Sequence, residues 1–472
     1  MAPALVLLVR RTLRSGLGLL VALAVSTAAW AWEYPSKKPD AKAPAHTWFE
    51  DQSKGGLRYL WELPEDYDPS KPRNLTVILH GSNLDRRWGP ANNPTGVFRP
   101  DDVVVSVDGT TPAQGEARNF LGEKKDVESF AAFLSEMRAS FAVKNVFLYG
   151  HSQGGFFVVY FAGEHPEMVS GVVAQASGAW NGSKTTGAVK KVAIAFLHGT
   201  LDPVVPYGQS PGARDAYAKE GLALLHLRRM QNWNHWPNAV RATESLDWCE
   251  GMTTDDAATA LECARRILAP KKSDEYQWTT VVGFSGARDV LRRIEGKGPA
   301  AFKSVDAKVA TAAAEIVKKI EEHASKHVKA LAKDVPSRKE LAKPGEWLGH
   351  LIALREDFRG VDAVETYVSK IAYDDVLASQ SKSSRAIFSA WYDEKDPKKI
   401  YEAIVENIEE AFLVEGYPVE LGSKMDEWKN DARKLEIGKK PLEKFAAFEV
   451  WRSGWKKGLE RYEKLWNDWK AP

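Results

Sequence analysis

The segment Lys144-Asn145-Val146-Phe147-Leu148-Tyr149 runs straight into Gly150-His151-Ser152-Gln153-Gly154-Gly155, and Phe156–Glu164 follows with the length and spacing of a helix. A buried strand that turns at once into a helix points to a parallel sheet, because the helix must carry the chain back across a sheet face before the next strand begins. The glycines permit a turn too sharp for ordinary side chains, and a serine at its apex keeps its hydroxyl exposed above the sheet. Further runs at Thr76–Leu79, Val103–Val107, Gly171–Ala176, Val192–Leu197 and Ala223–Leu227 are too uniformly apolar for half-exposed strands. Helical spacing over Asp126–Phe141 supplies another crossover.

The texture changes near Pro270 to Ala, Lys, Glu and Leu, with Pro and Gly confined to breaks. Val305, Val309, Ala312 and Ile316 form one apolar stripe; Phe445, Phe448, Trp451, Trp455, Leu459, Tyr462, Trp466 and Trp469 form another. The chain has 472 residues, more than the ~250–300 that one core usually serves. The expected organisation is a signal peptide over 1–31, an α/β catalytic domain over 32–270 and an all-α domain over 271–472. The last helix is expected to bury Trp451, Trp455 and Trp466 while Lys456, Lys457 and Glu460 stay solvated.

The signal peptide is read from Arg10, Arg11 and Arg14, an apolar run from Leu17 to Ala29, and the small-x-small pattern Ala29-Trp30-Ala31. The run is short of the ~20 residues that span a bilayer, so export to the periplasm or exterior is expected, with no stable membrane span. Ala4–Val9 lies ahead of the basic residues, which suggests translation starting at Val9. Sixty-five Lys and Arg against 63 Asp and Glu are too even a balance for a nucleic-acid binder.

A serine hydroxyl is a poor nucleophile at neutral pH and needs a base, itself oriented by an acid. Val192–Leu197 ends in His198-Gly199-Thr200-Leu201-Asp202-Pro203-Val204-Val205-Pro206, which places Asp202 just past a strand. Asp108, past Val103–Val107, is the weaker acid. His226 lies inside an apolar run and should point into packing, whereas His235 sits in the loop Asn232-Trp233-Asn234-His235-Trp236-Pro237 and is read as the base. The oxyanion would be met by the backbone N–H of Gln153 and, from the loop His80-Gly81-Ser82-Asn83, that of Ser82. His80 is read as structural.

The blocks Leu79-His80-Gly81, Gly150 to Gly155, Gly199 to Pro206 and His235-Trp236-Pro237 resemble those of the α/β-hydrolase superfamily, over about residues 58–240. The nearest branches are the phospholipase/carboxylesterase, feruloyl esterase and polyhydroxybutyrate depolymerase-like ones. The resemblance implies Ser152, Asp202 and His235 as a triad, and an esterase acting on small-molecule or polymer-linked esters without metal or organic cofactor. A serine peptidase of the prolyl-oligopeptidase type shares the triad but needs a large propeller, for which the chain ahead of Ser152 has no room. A non-catalytic binding protein on this scaffold would not be expected to keep all three side chains.

Trp88, Trp180, Trp233 and Trp236 fall in loops at strand ends and suggest an aromatic shelf for a phenolic or sugar ester, with Trp88, Trp180 and Trp236 taken as substrate-binding; ordinary packing explains them equally well. His323 and His327 stand four apart on a predicted helix, a spacing read as a solvated face rather than a metal site. A bridge between Cys249 and Cys263 would gain ~3 kcal/mol. In a helical hairpin, however, Cys263 lies about 13 Å along the second helix, beyond the ~7 Å that a disulfide spans.

Overall fold

The computed structural model describes residues 34–199, 202, 204–230, 233–270, 282–337, 348–371, 396, 399, 402, 406 and 467–472. The expected signal peptide, Trp451, Trp455, Lys456, Lys457, Glu460 and Trp466 lie outside them. The chain forms two compact units, one of residues up to Gln175 with Trp180–Lys184 and Pro237–Ala239, the other of Ala176–Ala179, Thr185–Trp236 and Val240–Pro472.

The first unit is built on β1 (Phe49–Gln52), β2 (Arg58–Glu62), β3 (Arg73–Leu79), β4 (Val103–Val107), β7 (Val143–His151) and β8 (Gly171–Gln175), in the order β1-β2-β4-β3-β7-β8. A two-residue ribbon of β5 (Thr111–Pro112) and β6 (Arg118–Asn119) stands apart. β4, β3, β7 and β8 are parallel neighbours, with Val77 level with both Val105 and Leu148. Their apolar runs are buried on both faces, as expected of parallel strands covered by helices. β2 joins antiparallel to β4 and β1 closes the edge as a hairpin. The helices are α1 (Trp88–Asn92), α2 (Lys124–Ser140) and α3 (Gln153–Glu164). Phe130 of α2 meets Phe157 and Phe161 of α3 edge-on, at 5.5 and 4.8 Å.

In the second unit β9 (Ala193–Gly199) and β10 (Leu225–Met230) run parallel, joined by α4 (Gln209–Lys219). Helices α5 (Ala239–Thr253), α6 (Ala257–Leu268), α7 (Phe284–Ile294), α8 (Ala307–Asp334), α9 (Leu348–Asp357) and α10 (Asp362–Lys370) follow. Asp256 caps α6 and Asp306 caps α8, each carboxylate accepting two backbone N–H groups of the first turn. The division between the units falls ahead of the composition change near Pro270, and α6 and α7 on either side of that change pack together. Cys249 and Cys263 are both buried as thiols. Among the described residues no helix is long and apolar enough to cross a membrane.

His323 and His327 correct the expected solvated face. They lie on the buried side of α8, 9% and 8% exposed, with ring centroids 4.6 Å apart. Phe284 stacks on His323 at 5.4 Å and Trp469 meets it edge-on at 5.3 Å. The apolar stripe of α8 continues through Ala313, Ile316 and Ile320 into these imidazoles, which serve as packing surface.

Candidate active site

Ser152 sits between β7 and α3 with φ 53° and ψ −118°, a left-handed conformation that a non-glycine residue holds only under constraint from its surroundings. The constraint is visible atom by atom. Its amide donates to the carbonyl of Gln175 at 2.9 Å, and its own carbonyl accepts from the amide of Phe156 at 3.1 Å. A Cβ at position 150 would lie 2.2 Å from the oxygen of Gly154, and one at position 154 would lie 2.5 Å from the oxygen of His80. Only glycine fits either place, so the turn closes and the serine is thrust out at the start of α3.

The loop after β3 comes against this turn. A Cβ on Gly81 would meet the Cβ of Ser152 at 3.3 Å. His80 holds the loop: its Nε2 accepts from the amide of Gly109 at 3.0 Å, and its Nδ1 donates to the carbonyl of Gly81 at 2.7 Å. Burial pushes its pKa down, which keeps the ring neutral for that pair of bonds. Ser82 is exposed beside it. Gln153 opens α3, where backbone N–H groups have no carbonyl of the helix to meet. Its side chain accepts from the amide of Phe120 at 3.0 Å and so fixes the 119–122 loop.

In the second unit Asp202 and His235 are brought together. Nδ1 of His235 donates to Oδ2 of Asp202 at 2.7 Å. The other oxygen, Oδ1, accepts from the amides of Val204 and Val205, both at 2.8 Å. Burial opposes the charge on Asp202, yet bonds from His198 and His235 outweigh it and hold the carboxyl well below the ordinary range. The loop carrying His235 is pinned by Trp233, whose Nε1 donates to the carbonyl of Trp236 at 2.7 Å, and by Asn234, whose Oδ1 accepts from the amide of Trp236 at 2.9 Å. Gly199, at the end of β9, lets this loop approach: a Cβ there would fall 2.3 Å from the oxygen of Trp233.

Residues 122–235 match the phospholipase/carboxylesterase family. The chain carries an α/β-hydrolase domain of that kind. The hydrolase is similar to a thermostable esterase at 16% identity, over 43% of this chain and 61% of that one, with a TM-score of 0.33. It is also similar to a carboxylesterase from Mesorhizobium loti, at 16% identity over 42% and 98% of the two chains, TM-score 0.35. A third likeness is to Est1E from Butyrivibrio proteoclasticus with ferulic acid bound, at 16% identity over 40% and 92%, TM-score 0.31. No curated protein matches the sequence.

The remaining expectations divide by burial. Trp88 of the hydrolase is not on a shelf: it is 3% exposed, in α1, with its ring stacked on His151 at 5.0 Å. Trp180 and Trp236 are half-buried. Trp180 lies parallel to Phe156, centroids 6.1 Å apart and planes 7° from parallel, and leaves no room for a Cβ on Gly122. Asp108 is buried against Arg86, accepting from its backbone amide at 2.8 Å and its guanidinium at 3.3 Å, so its charge is spent there. His226 packs on Trp248 at 5.0 Å, as its apolar run implied.

His198 is the residue that sequence reasoning passed over. Its Nε2 lies 3.2 Å from Oδ2 of Asp202, the same oxygen that His235 uses, and both side chains are fully buried. The signal was available: a histidine ends a strand directly ahead of a glycine and four residues before the acid.

Proposed function

We propose that the protein is an exported serine esterase in which Ser152, His235 and Asp202 form the triad. The observation that carries this reading is the strained Ser152 at its strand–helix turn, in a chain whose loops after β9 and β10 supply an Asp–His pair joined at 2.7 Å. Ser152 Oγ attacks the ester carbonyl as Nε2 of His235 takes its proton, and the backbone N–H groups of Gln153 and Ser82 meet the developing oxyanion. Collapse passes the proton to the leaving alcohol and leaves an acyl group on Ser152. Water, activated by the same imidazole, then releases the acid. Asp202 keeps Nδ1 of His235 protonated, so that Nε2 presents its lone pair. Trp180 and Trp236 are the candidates for holding the organic part of the ester, because each is half-buried in a loop of the domain.

The test is hydrolysis of nitrophenyl acetate by the full chain beside Ser152→Ala and His235→Ala. Each substitution should lower kcat by on the order of 10⁴-fold. Wild-type turnover by Ser152→Ala would overturn the reading. The basic arm of the N-terminus supports export through its signal-peptide pattern, and recovery of a precursor cut near Trp32 from outside the cytoplasm would test that part.

A further inference from the structure

The contacts of His198 determine where its protons are. Its Nδ1 lies 2.7 Å from Oγ of Ser210. The single hydroxyl proton of Ser210 is committed elsewhere, to the carbonyl of Ser177 at 2.6 Å. A carbonyl can only accept, so Oγ of Ser210 faces His198 as an acceptor, and Nδ1 of His198 must donate. On the other side of the ring Nε2 faces the carbonyl of Val205 at 2.9 Å and Oδ2 of Asp202 at 3.2 Å. Both are acceptors, so Nε2 must donate as well. A neutral imidazole has one N–H; these contacts are all satisfied only when the ring carries two.

We propose that His198 is held as an imidazolium, a fixed positive charge on the same carboxylate oxygen that His235 uses, which positions Asp202 and lowers the proton affinity of His235. The inference rests on the triad reading above and adds to it a second histidine on the acid. Without the cation, Oδ2 of Asp202 would present a full desolvated charge to the one imidazole that must gain and lose a proton, and the protonated form of His235 would be favoured too strongly for a base. With it, the carboxylate is shared, and His235 stays neutral to lower pH. Among the described residues, the titratable groups that these contacts place around the two rings are Asp202, which both touch, and Tyr207, whose ring meets His198 edge-on at 5.7 Å.

The experiment follows the ring nitrogens of ¹⁵N-histidine-labelled full-length protein by NMR from about pH 6 to about pH 9, together with the pH profile of kcat/KM. Two variants are compared with wild type. His198→Gln keeps a donor toward Asp202 without the charge, and Ser210→Ala keeps the ring but removes the acceptor that demands its second proton. The expected result is two protonated nitrogens on His198 throughout the range in the wild type. In either variant, the titration of His235 and the rising limb of kcat/KM should move upward by roughly one pH unit. A merely structural role would lower kcat and leave the limb in place. An unprotonated nitrogen on His198, or an unmoved His235 titration in Ser210→Ala, overturns the proposal even if His198→Gln fails to fold. Failure of the triad reading is seen separately, as retained turnover in Ser152→Ala, and the NMR arms decide the state of His198 whichever way that control falls.

Discussion

Gly81 stands so close to Ser152 that a Cβ on the glycine would lie 3.3 Å from the Cβ of the serine. That approach sets the loop after β3 against the Ser152 turn, and it separates two glycines that the sequence alone treats alike. At Gly81 the nearest neighbours are two side-chain atoms, Nδ1 of His151 and Cβ of Ser152, both at 3.3 Å, which must give by a few tenths of an ångström. At Gly154 the neighbour is the backbone oxygen of His80, at 2.5 Å. Gly81→Ala should therefore still fold, with a smaller loss of stability than Gly154→Ala, and lose about 10- to 100-fold in kcat by displacing the oxyanion donors. Gly154→Ala should fail to fold to a soluble product. Melting curves beside turnover separate the cases; equal behaviour of the two variants would refute the distinction.

Asp202→Asn should drop kcat by about 10⁴-fold, because an amide can stabilise the wrong tautomer of His235 and carries no charge for its imidazolium. The stability consequence has a definite sign. The carboxyl of Asp202 is held below its ordinary range by His198 and His235 against the cost of burial, so its contribution is present above the unfolded value near ~4 and is lost as pH falls through the lower folded value. The gap in melting temperature between wild type and Asp202→Asn should close as the pH falls below about 4; a gap that widens on acidification would contradict this.

Glu62 on β2 is expected to destabilise the fold at neutral pH. It is 3% exposed, its Oε2 has no hydrogen-bond partner among the described residues, and burial pushes its carboxyl from about 4.5 up to about 7, only partly offset by a bond from Thr95. The folded state therefore binds a proton that the unfolded state has released, and stability falls as pH rises between those two values. Glu62→Gln should be more stable than wild type at pH 8 by on the order of 3 kcal/mol and equal to it near pH 4. Denaturant titrations at both pH values read this directly.

Trp180→Ala should discriminate between substrates. The indole lies flat against Phe156, in the first turn of the helix that Ser152 opens, and offers a half-buried aromatic face. Loss of a ring stack worth about 0.5–1.5 kcal/mol should raise KM for a phenolic ester several-fold while an acetate of a small alcohol changes little. An equal change for both would remove Trp180 from substrate binding.

What the sequence determined by itself is the part of the molecule governed by short-range rules. Thr76–Leu79, Val146–Tyr149 and Val192–Leu197 declare buried strands because β-branched and apolar residues on both faces have nowhere else to go. The Gly150–Gly155 turn declares itself because the demand at Gly150 is local, set by the backbone of Gly154, whereas the demand at Gly154 is set by His80 from the loop after β3. The loop positions of Asp202 and His235 were legible for the same reason, since each follows a recognisable strand. Tertiary structure decided the rest. Trp88 and His151 become partners only when α1 closes over β7, which turns an expected loop residue into core. His323 is buried among Phe284, Phe358 and Trp469, all distant from it in the chain, and His327 packs against His323. His198 meets Asp202 because the chain after β9 folds back, the amides of Val204 and Val205 donating to the carboxylate, and Ser210 and Ser177, 33 residues apart, complete the chain of contacts on the other side of its ring. A residue's chemical type is written in the chain, but its protonation state depends on which acceptors surround it, and those are assembled only by packing.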